Sequence, residues 1–127
     1  MTEASRIRVA IVDDDASYRC ALARLLRASR MEALTFDSAE DYLANGRAIP
    51  ADCLLLDVQL GGMSGFDLQR QLATAGAGTA CVFISAHTEA SIAGQAAAAG
   101  CAFVRKSDPG EVLLAAIRHA VAEPVSP

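Results

Sequence analysis

Several things are scarce in this chain, and each scarcity excludes a class of function. Lysine and arginine together number 11 against 15 acidic residues, a net charge of −4 over 127 residues. The basic residues are scattered apart from Arg105-Lys106 and a few on the first helix, so no nucleic-acid surface is expected. No apolar run approaches the roughly 18 residues that a membrane span needs. The start, MTEASR, lacks the basic, apolar and small-residue sections of a signal peptide, so a soluble cytoplasmic protein is expected. The loop after the first strand is acidic and contains no GxGxxG, which argues against a flavin or dinucleotide fold. There are no internal repeats and only four prolines.

The four cysteines, at 20, 53, 81 and 101, show no CxxC spacing and do not cluster with His87 or His119. They read as reduced, buried, small hydrophobes. The length suits one domain, spanning 1–122, with Glu123 to Pro127 as a tail or the start of a linker.

What is present is an alternation of short apolar strands with amphipathic helices, five of each. The pattern predicts strands at 7–12, 32–36, 52–57, 80–85 and 101–105. Helices are predicted at 15–29, 38–45, 64–75, 89–99 and 109–122. Near-continuous apolar runs such as Cys53-Leu54-Leu55-Leu56 and Cys81-Val82-Phe83-Ile84 suit strands covered on both faces. In the first helix, Tyr18, Leu22, Leu25 and Leu26 recur at helical spacing, with Arg19, Arg24, Arg27 and Arg30 read as a solvated face. The last helix repeats the pattern with Val112, Leu113, Ala116, Ile117, Ala120 and Val121. Asp108 is its expected N-cap, with Pro109 at the first helical position and Glu111 three residues beyond the cap. The fourth helix has Ile92 as its only large apolar residue, and Gly100 as its expected stop. Such alternation implies an α/β fold, a parallel sheet with helices on both faces and right-handed crossovers.

Ligands of open α/β sheets sit beyond the carboxyl ends of the strands. The first strand ends in Asp13-Asp14, the third in Asp57, the fourth in Ser85 and the fifth in Lys106. Carboxylates gathered at one place repel one another unless a cation joins them, and hard oxygen ligands suit Mg²⁺. A carboxylate beside that cation can act as nucleophile toward a phosphoryl group. Lys106 can then neutralise charge on the phosphoryl oxygens, and the Ser85 hydroxyl can donate to one of them. Asp15, at the start of the first helix, reads as a cap or first-turn residue. Gly65 reads as a residue of special backbone conformation where a loop enters the third helix.

This set resembles the receiver domains of two-component response regulators, over nearly the whole chain from Ile7 to Ala122. The resemblance rests on IVDDD (11–15), LLLDVQLGGMSGFDL (54–68), VFISAH (82–87) and AFVRKS (102–107). It implies a doubly wound (βα)5 flavodoxin-like sandwich with strand order 2-1-3-4-5, and Asp57 as phosphoacceptor. It implies Mg²⁺ held by Asp13, Asp14, Asp57 and the Gln59 carbonyl, with Asp14 the direct ligand and Asp13 acting through water. Ser85 and Phe103 match the switch residues, and Lys106 the phosphoryl-contacting lysine. Gln59 and His87 match positions that tune phosphoryl hydrolysis. The implied partners are a sensor histidine kinase or histidine phosphotransfer protein. A second receiver or an effector would dock through the fourth helix, fifth strand and fifth helix. Such a domain is not an enzyme in the ordinary sense, although it assists its own phosphorylation and dephosphorylation.

Two departures stand out. Receivers usually carry proline shortly after the phosphoacceptor, where this chain has Gly61 and Gly62. They also carry proline after the lysine, often through a cis bond, where this chain has Ser107. Either that bond is trans here, or the fold holds a costly non-proline cis bond. Two other readings remain open: an unphosphorylated receiver-like interaction module, and an aspartate-nucleophile phosphatase. The latter usually has a second acid where Gln59 stands.

Overall fold

The computed structural model describes residues 6–76, 78–87 and 90–122. The predicted tail at 123–127, the first five residues and the predicted helix start at Glu89 lie outside the described residues. In chain order the elements are β1 (Arg8–Val12), α1 (Ala16–Ala28), β2 (Glu32–Phe36), α2 (Ala39–Asn45) and β3 (Cys53–Asp57). They continue as α3 (Gly65–Thr74), β4 (Ala80–Ser85), α4 (Ala90–Ala98), β5 (Ala102–Arg105) and α5 (Gly110–Ala122). All strand pairs are parallel, in the order β2-β1-β3-β4-β5. The expected fold class and strand order are therefore both found.

Strand alternation sends side chains to two separate cores. Val9, Ile11, Cys53, Leu55, Val82, Ile84 and Val104 pack with Leu22 and Leu26 of α1 and with Leu113 and Ile117 of α5. Ala10, Val12, Leu54, Leu56, Cys81 and Phe83 pack with Tyr42 of α2, Leu68 and Leu72 of α3, and Ile92 and Ala96 of α4. Every residue of the central strand β3 is buried. That explains why its sequence, CLLLD, does not alternate in polarity.

Helix boundaries follow the local chemistry, one residue inside several predicted ends. Asp15 caps α1, its carboxylate accepting from the Tyr18 N–H at 3.1 Å. Ser38 caps α2 in the same way, accepting from the Asp41 N–H at 2.9 Å. Ser64 and Asp67 form a reciprocal capping box at the start of α3. Gly100 stops α4 with a φ of 75°, and the Cys101 N–H closes the turn on the Ala96 carbonyl at 3.0 Å.

Three expectations need correction. Asp108 does not cap α5: its carboxylate turns back to accept from the Arg105 N–H at 3.0 Å, while the Pro109 carbonyl takes the first helical bond. Val112 is not a core residue but is 43% exposed, because α5 buries only the Leu113–Ile117 stripe. Cys20 is exposed and Cys101 is half-buried, so only Cys53 and Cys81 are buried hydrophobes. No cis peptide bond occurs among the described residues, so the Lys106–Ser107 bond is trans.

Candidate functional site

The topology brings the expected strand ends together at the carboxyl edge. Strands β1 and β3 are neighbours, so Asp13 and Asp57 emerge side by side, with β4 and β5 following on the same flank. Asp13 is fully buried, Asp57 is 4% exposed and Ser85 is fully buried. They are the only buried polar or charged residues among those described. Asp14, Gln59 and His87 are exposed around them, and Phe103 is half-buried.

Lys106 ties the site together across sequence separations of 93 and 49 residues. Its ammonium donates to Asp13 Oδ1 at 3.2 Å and to Asp57 Oδ2 at 3.1 Å. It also forms an ion pair with Asp13 Oδ2 at 2.9 Å, and that buried oxygen has no hydrogen-bond partner. An oxygen held only by an ion pair keeps lone pairs that a metal ion can use. One carboxylate oxygen from each of Asp13, Asp14 and Asp57 lies within 4.8 Å of the others. Three hard oxygen donors at that separation fit a divalent cation such as Mg²⁺.

Backbone donors add to the hold on both carboxylates. The Asp15 N–H donates to Asp13 Oδ1 at 2.9 Å, and the Gln59 N–H donates to Asp57 Oδ1 at 3.0 Å. The Ser85 hydroxyl oxygen accepts from the His87 N–H at 3.0 Å, which leaves its own proton available to donate. The Lys106 N–H donates to the Ser85 carbonyl at 2.9 Å, so the lysine and the serine are held by one backbone contact.

Burial and charge act in opposite directions here. Burial lifts the Asp57 carboxyl to about 6, helped by Asp13, against the lowering influence of the Gln59 N–H and of Lys106. For Lys106, burial pulls the ammonium down, but the hydrogen bonds and charges of Asp13 and Asp57 outweigh it and hold the group above its usual range.

Three contributors escaped the sequence reading. The Tyr18 ring lies under the Lys106 ammonium, 4.6 Å from centroid to Nζ, a cation–π contact. Helical spacing places Tyr18 on the core face, and it is half-buried there, but its ring also reaches Lys106. Burial raises its hydroxyl above the ordinary range, although Lys106 opposes the shift. Arg19, read as solvated, donates from Nη1 to the Asp13 carbonyl at 2.7 Å. Gly65 is needed for space rather than for backbone conformation. Its φ is not positive, and a Cβ there would meet the Asp57 carbonyl oxygen at 2.2 Å. The Gly65 N–H also donates to the Val58 carbonyl at 3.0 Å, which presses α3 against the end of β3. Of the two loop glycines, only Gly62 has a positive φ, 82°. A Cβ there would meet Glu40 Oε2 at 3.2 Å.

A family model for the response regulator receiver domain matches residues 9–118. The chain belongs to that family. This receiver is 39% identical over 112 residues to the response regulator protein TmoT of Ectopseudomonas mendocina, covering 87% of this chain and 51% of the relative. It is 35% identical over 115 residues to the transcriptional regulatory protein TdiR of Thauera aromatica, covering 90% of this chain and 51% of the relative. The receiver therefore spans about half the length of the curated relatives it matches. Among solved structures, FixJ-N superposes with a TM-score of 0.86 at 28% identity, covering 97% of this receiver and 99% of that chain. The response regulator StyR gives 0.83 at 38% identity, covering 92% and 60% respectively. The family is a signalling module of two-component systems. No described helix of this receiver is long and apolar enough to cross a membrane.

Proposed function

We propose that this receiver, spanning residues 1–122, accepts a phosphoryl group on Asp57 from a histidine kinase or a histidine phosphotransfer protein. The observation that carries the reading is Lys106 bridging Asp13 and Asp57 at about 3 Å within the acidic cluster. Asp13, Asp14, Asp57 and the Gln59 carbonyl would hold Mg²⁺, with Asp14 the direct ligand and Asp13 acting through water. When bound, the ion keeps the carboxylates ionised and offsets charge on the phosphoryl oxygens.

The chain's own groups divide the remaining work. An Asp57 oxygen attacks phosphorus, the N–P bond of the donor phosphohistidine breaks, and the imidazole keeps the electron pair. The backbone N–H of Gln59 and the ammonium of Lys106 hold the two Asp57 oxygens apart, so the carboxylate cannot rotate away from the donor. Lys106 then turns to the arriving phosphoryl oxygens. Ser85 gives up its contact with the His87 N–H and donates its hydroxyl proton to the phosphoryl group. That inward movement frees space for Phe103, and the surface formed by α4, β5 and α5 changes in consequence. A second receiver or an effector would bind that surface. Gln59 and His87, exposed at the rim, would govern access of the hydrolytic water.

The test is incubation with Mg²⁺ and a small phosphodonor, followed by intact mass, beside the Asp57→Asn variant. A base-labile phosphoryl adduct on the wild type alone is expected. An equal adduct on the variant, or none on either, overturns the assignment. Turnover of unrelated phosphomonoesters would point to a phosphatase instead.

A further inference from the structure

The amino edge of the sheet carries a second cluster, which the proposed phosphoryl chemistry does not use. The β4–β5 register pairs Val82 with Ala102, so one residue earlier Cys81 stands beside Cys101. Both pack on the same face of the sheet, against the α2–α3–α4 core. Neighbouring strands lie about 4.8 Å apart, inside the Cα separation that a disulfide spans. Cys53 is one strand away but on the opposite face, paired in register with Ala80. Cys20 sits alone and exposed on α1. The arrangement therefore selects one pair out of four cysteines.

The two thiols are unequal. Cys81 is 6% exposed, whereas Cys101 is half-buried, with its thiol donating to the Ala99 carbonyl at the surface at 3.5 Å. The neighbouring Cys81 thiol holds Cys101 below its ordinary range, against the effect of burial. The same proximity, together with burial, raises Cys81. An accessible, thiolate-prone sulfur beside a protonated one is the arrangement of a peroxide-sensing pair.

We propose that Cys81 and Cys101 form a redox modification site, in which a peroxide oxidises Cys101 and Cys81 closes an intramolecular disulfide between β4 and β5. In the first step the Cys101 thiolate attacks one peroxide oxygen and the O–O bond breaks. The sulfur loses two electrons to become a sulfenic acid, and the other oxygen leaves as hydroxide or alkoxide, taking up a proton. In the second step the Cys81 sulfur attacks the sulfenic sulfur, the S–O bond breaks, and hydroxide departs as water with the Cys81 proton. Two thiols and one peroxide thus give one disulfide, one alcohol or water, and one further water. A disulfide of this kind in a reducing compartment is transient and regulatory rather than structural. It would tie the edge strand two residues before Phe103.

The full chain is treated with hydrogen peroxide, its free thiols are alkylated, and it is digested without reduction. Loss of two of the four thiols is expected, with a linked peptide joining Cys81 to Cys101 in a monomer. Cys20→Ser leaves the yield unchanged, and Cys101→Ser abolishes the linked peptide. Cys81→Ser leaves a sulfenic acid on Cys101 that a carbon nucleophile traps. If Cys81→Ser does not fold, the wild-type peptide map decides. A linkage through Cys20 or Cys53, a disulfide-joined dimer, or no linked peptide overturns the proposal.

Discussion

The two edges of one sheet solve opposite problems with the same backbone. At the carboxyl edge, Asp13 and Asp57 are buried as potential charges, and Lys106, backbone N–H groups and an aromatic ring surround them. At the amino edge, Cys53 and Cys81 are buried as neutral thiols, and burial pushes Cys53 up to about 12. A parallel sheet aims its strand ends, and the loops that follow them, in one common direction. The difference lies in what fills each end. Charge is tolerated where a cation and backbone donors are held in place for it, and the neutral form is favoured where burial brings no such partner.

The most severe way to break this contrast is to remove the cation that pairs the acids. Lys106→Ala leaves two buried carboxylates facing each other, and in the metal-free protein at pH 7 it should cost about 3–5 kcal/mol. Urea denaturation measures the loss, which should shrink at pH 5 as Asp57 takes up a proton. A loss that does not change with pH would mean that the lysine acts only through packing.

Gly65→Ala attacks the scaffold rather than the charge. A Cβ pressed against the Asp57 carbonyl must displace backbone, at about 2 kcal/mol by the measure of overpacked cores. The phosphoryl adduct yield should fall with it. A variant of unchanged stability would show that α3 shifts without strain.

The pH dependence is gentler, since it spreads over about two units. Folding raises the Asp57 carboxyl from 3.8 to about 6. The native state therefore holds more protons than the unfolded chain between those values. The stability from this group is fully present below the unfolded value and is lost as pH rises through about 6. Thermal unfolding without metal should show that decline, and saturating Mg²⁺ or Asp57→Asn should flatten it. The same slope in all three samples would assign it to another group.

The smallest effect is expected at Tyr18. Tyr18→Leu removes the ring beneath the ammonium and should cost about 1 kcal/mol, whereas Tyr18→Phe should cost almost nothing. Equal losses in both variants would make the hydroxyl, not the ring, the group that matters.

Much of this molecule is legible in the chain itself. Helical spacing, capping residues and apolar runs specify all ten elements, because each depends on residues within a few positions of one another. The strand-end residues Asp13, Asp57, Ser85 and Lys106 could be named for the same reason, once the strands were placed. Other features were hidden where a residue's role depends on a distant neighbour. Asp108 fitted a cap motif, but the turn geometry gave its carboxylate to Arg105. Arg19 and Tyr18 fitted an amphipathic helix, and nothing local says that one would reach the Asp13 carbonyl or the other the Lys106 ammonium. Gly65 showed in sequence that a glycine was present, not that the Asp57 carbonyl lies where a Cβ would stand.

The sequence by itself therefore determined the alternation of elements, the two-faced burial of the strands and the chemical types waiting at their ends. Only the tertiary structure decided who meets whom: Lys106 with Asp13 across 93 residues, and Cys81 rather than Cys53 beside Cys101. The reason is physical. Periodicity and capping are short-range properties of the chain, whereas pairing across a parallel sheet is fixed by strand order and register, which no local stretch contains.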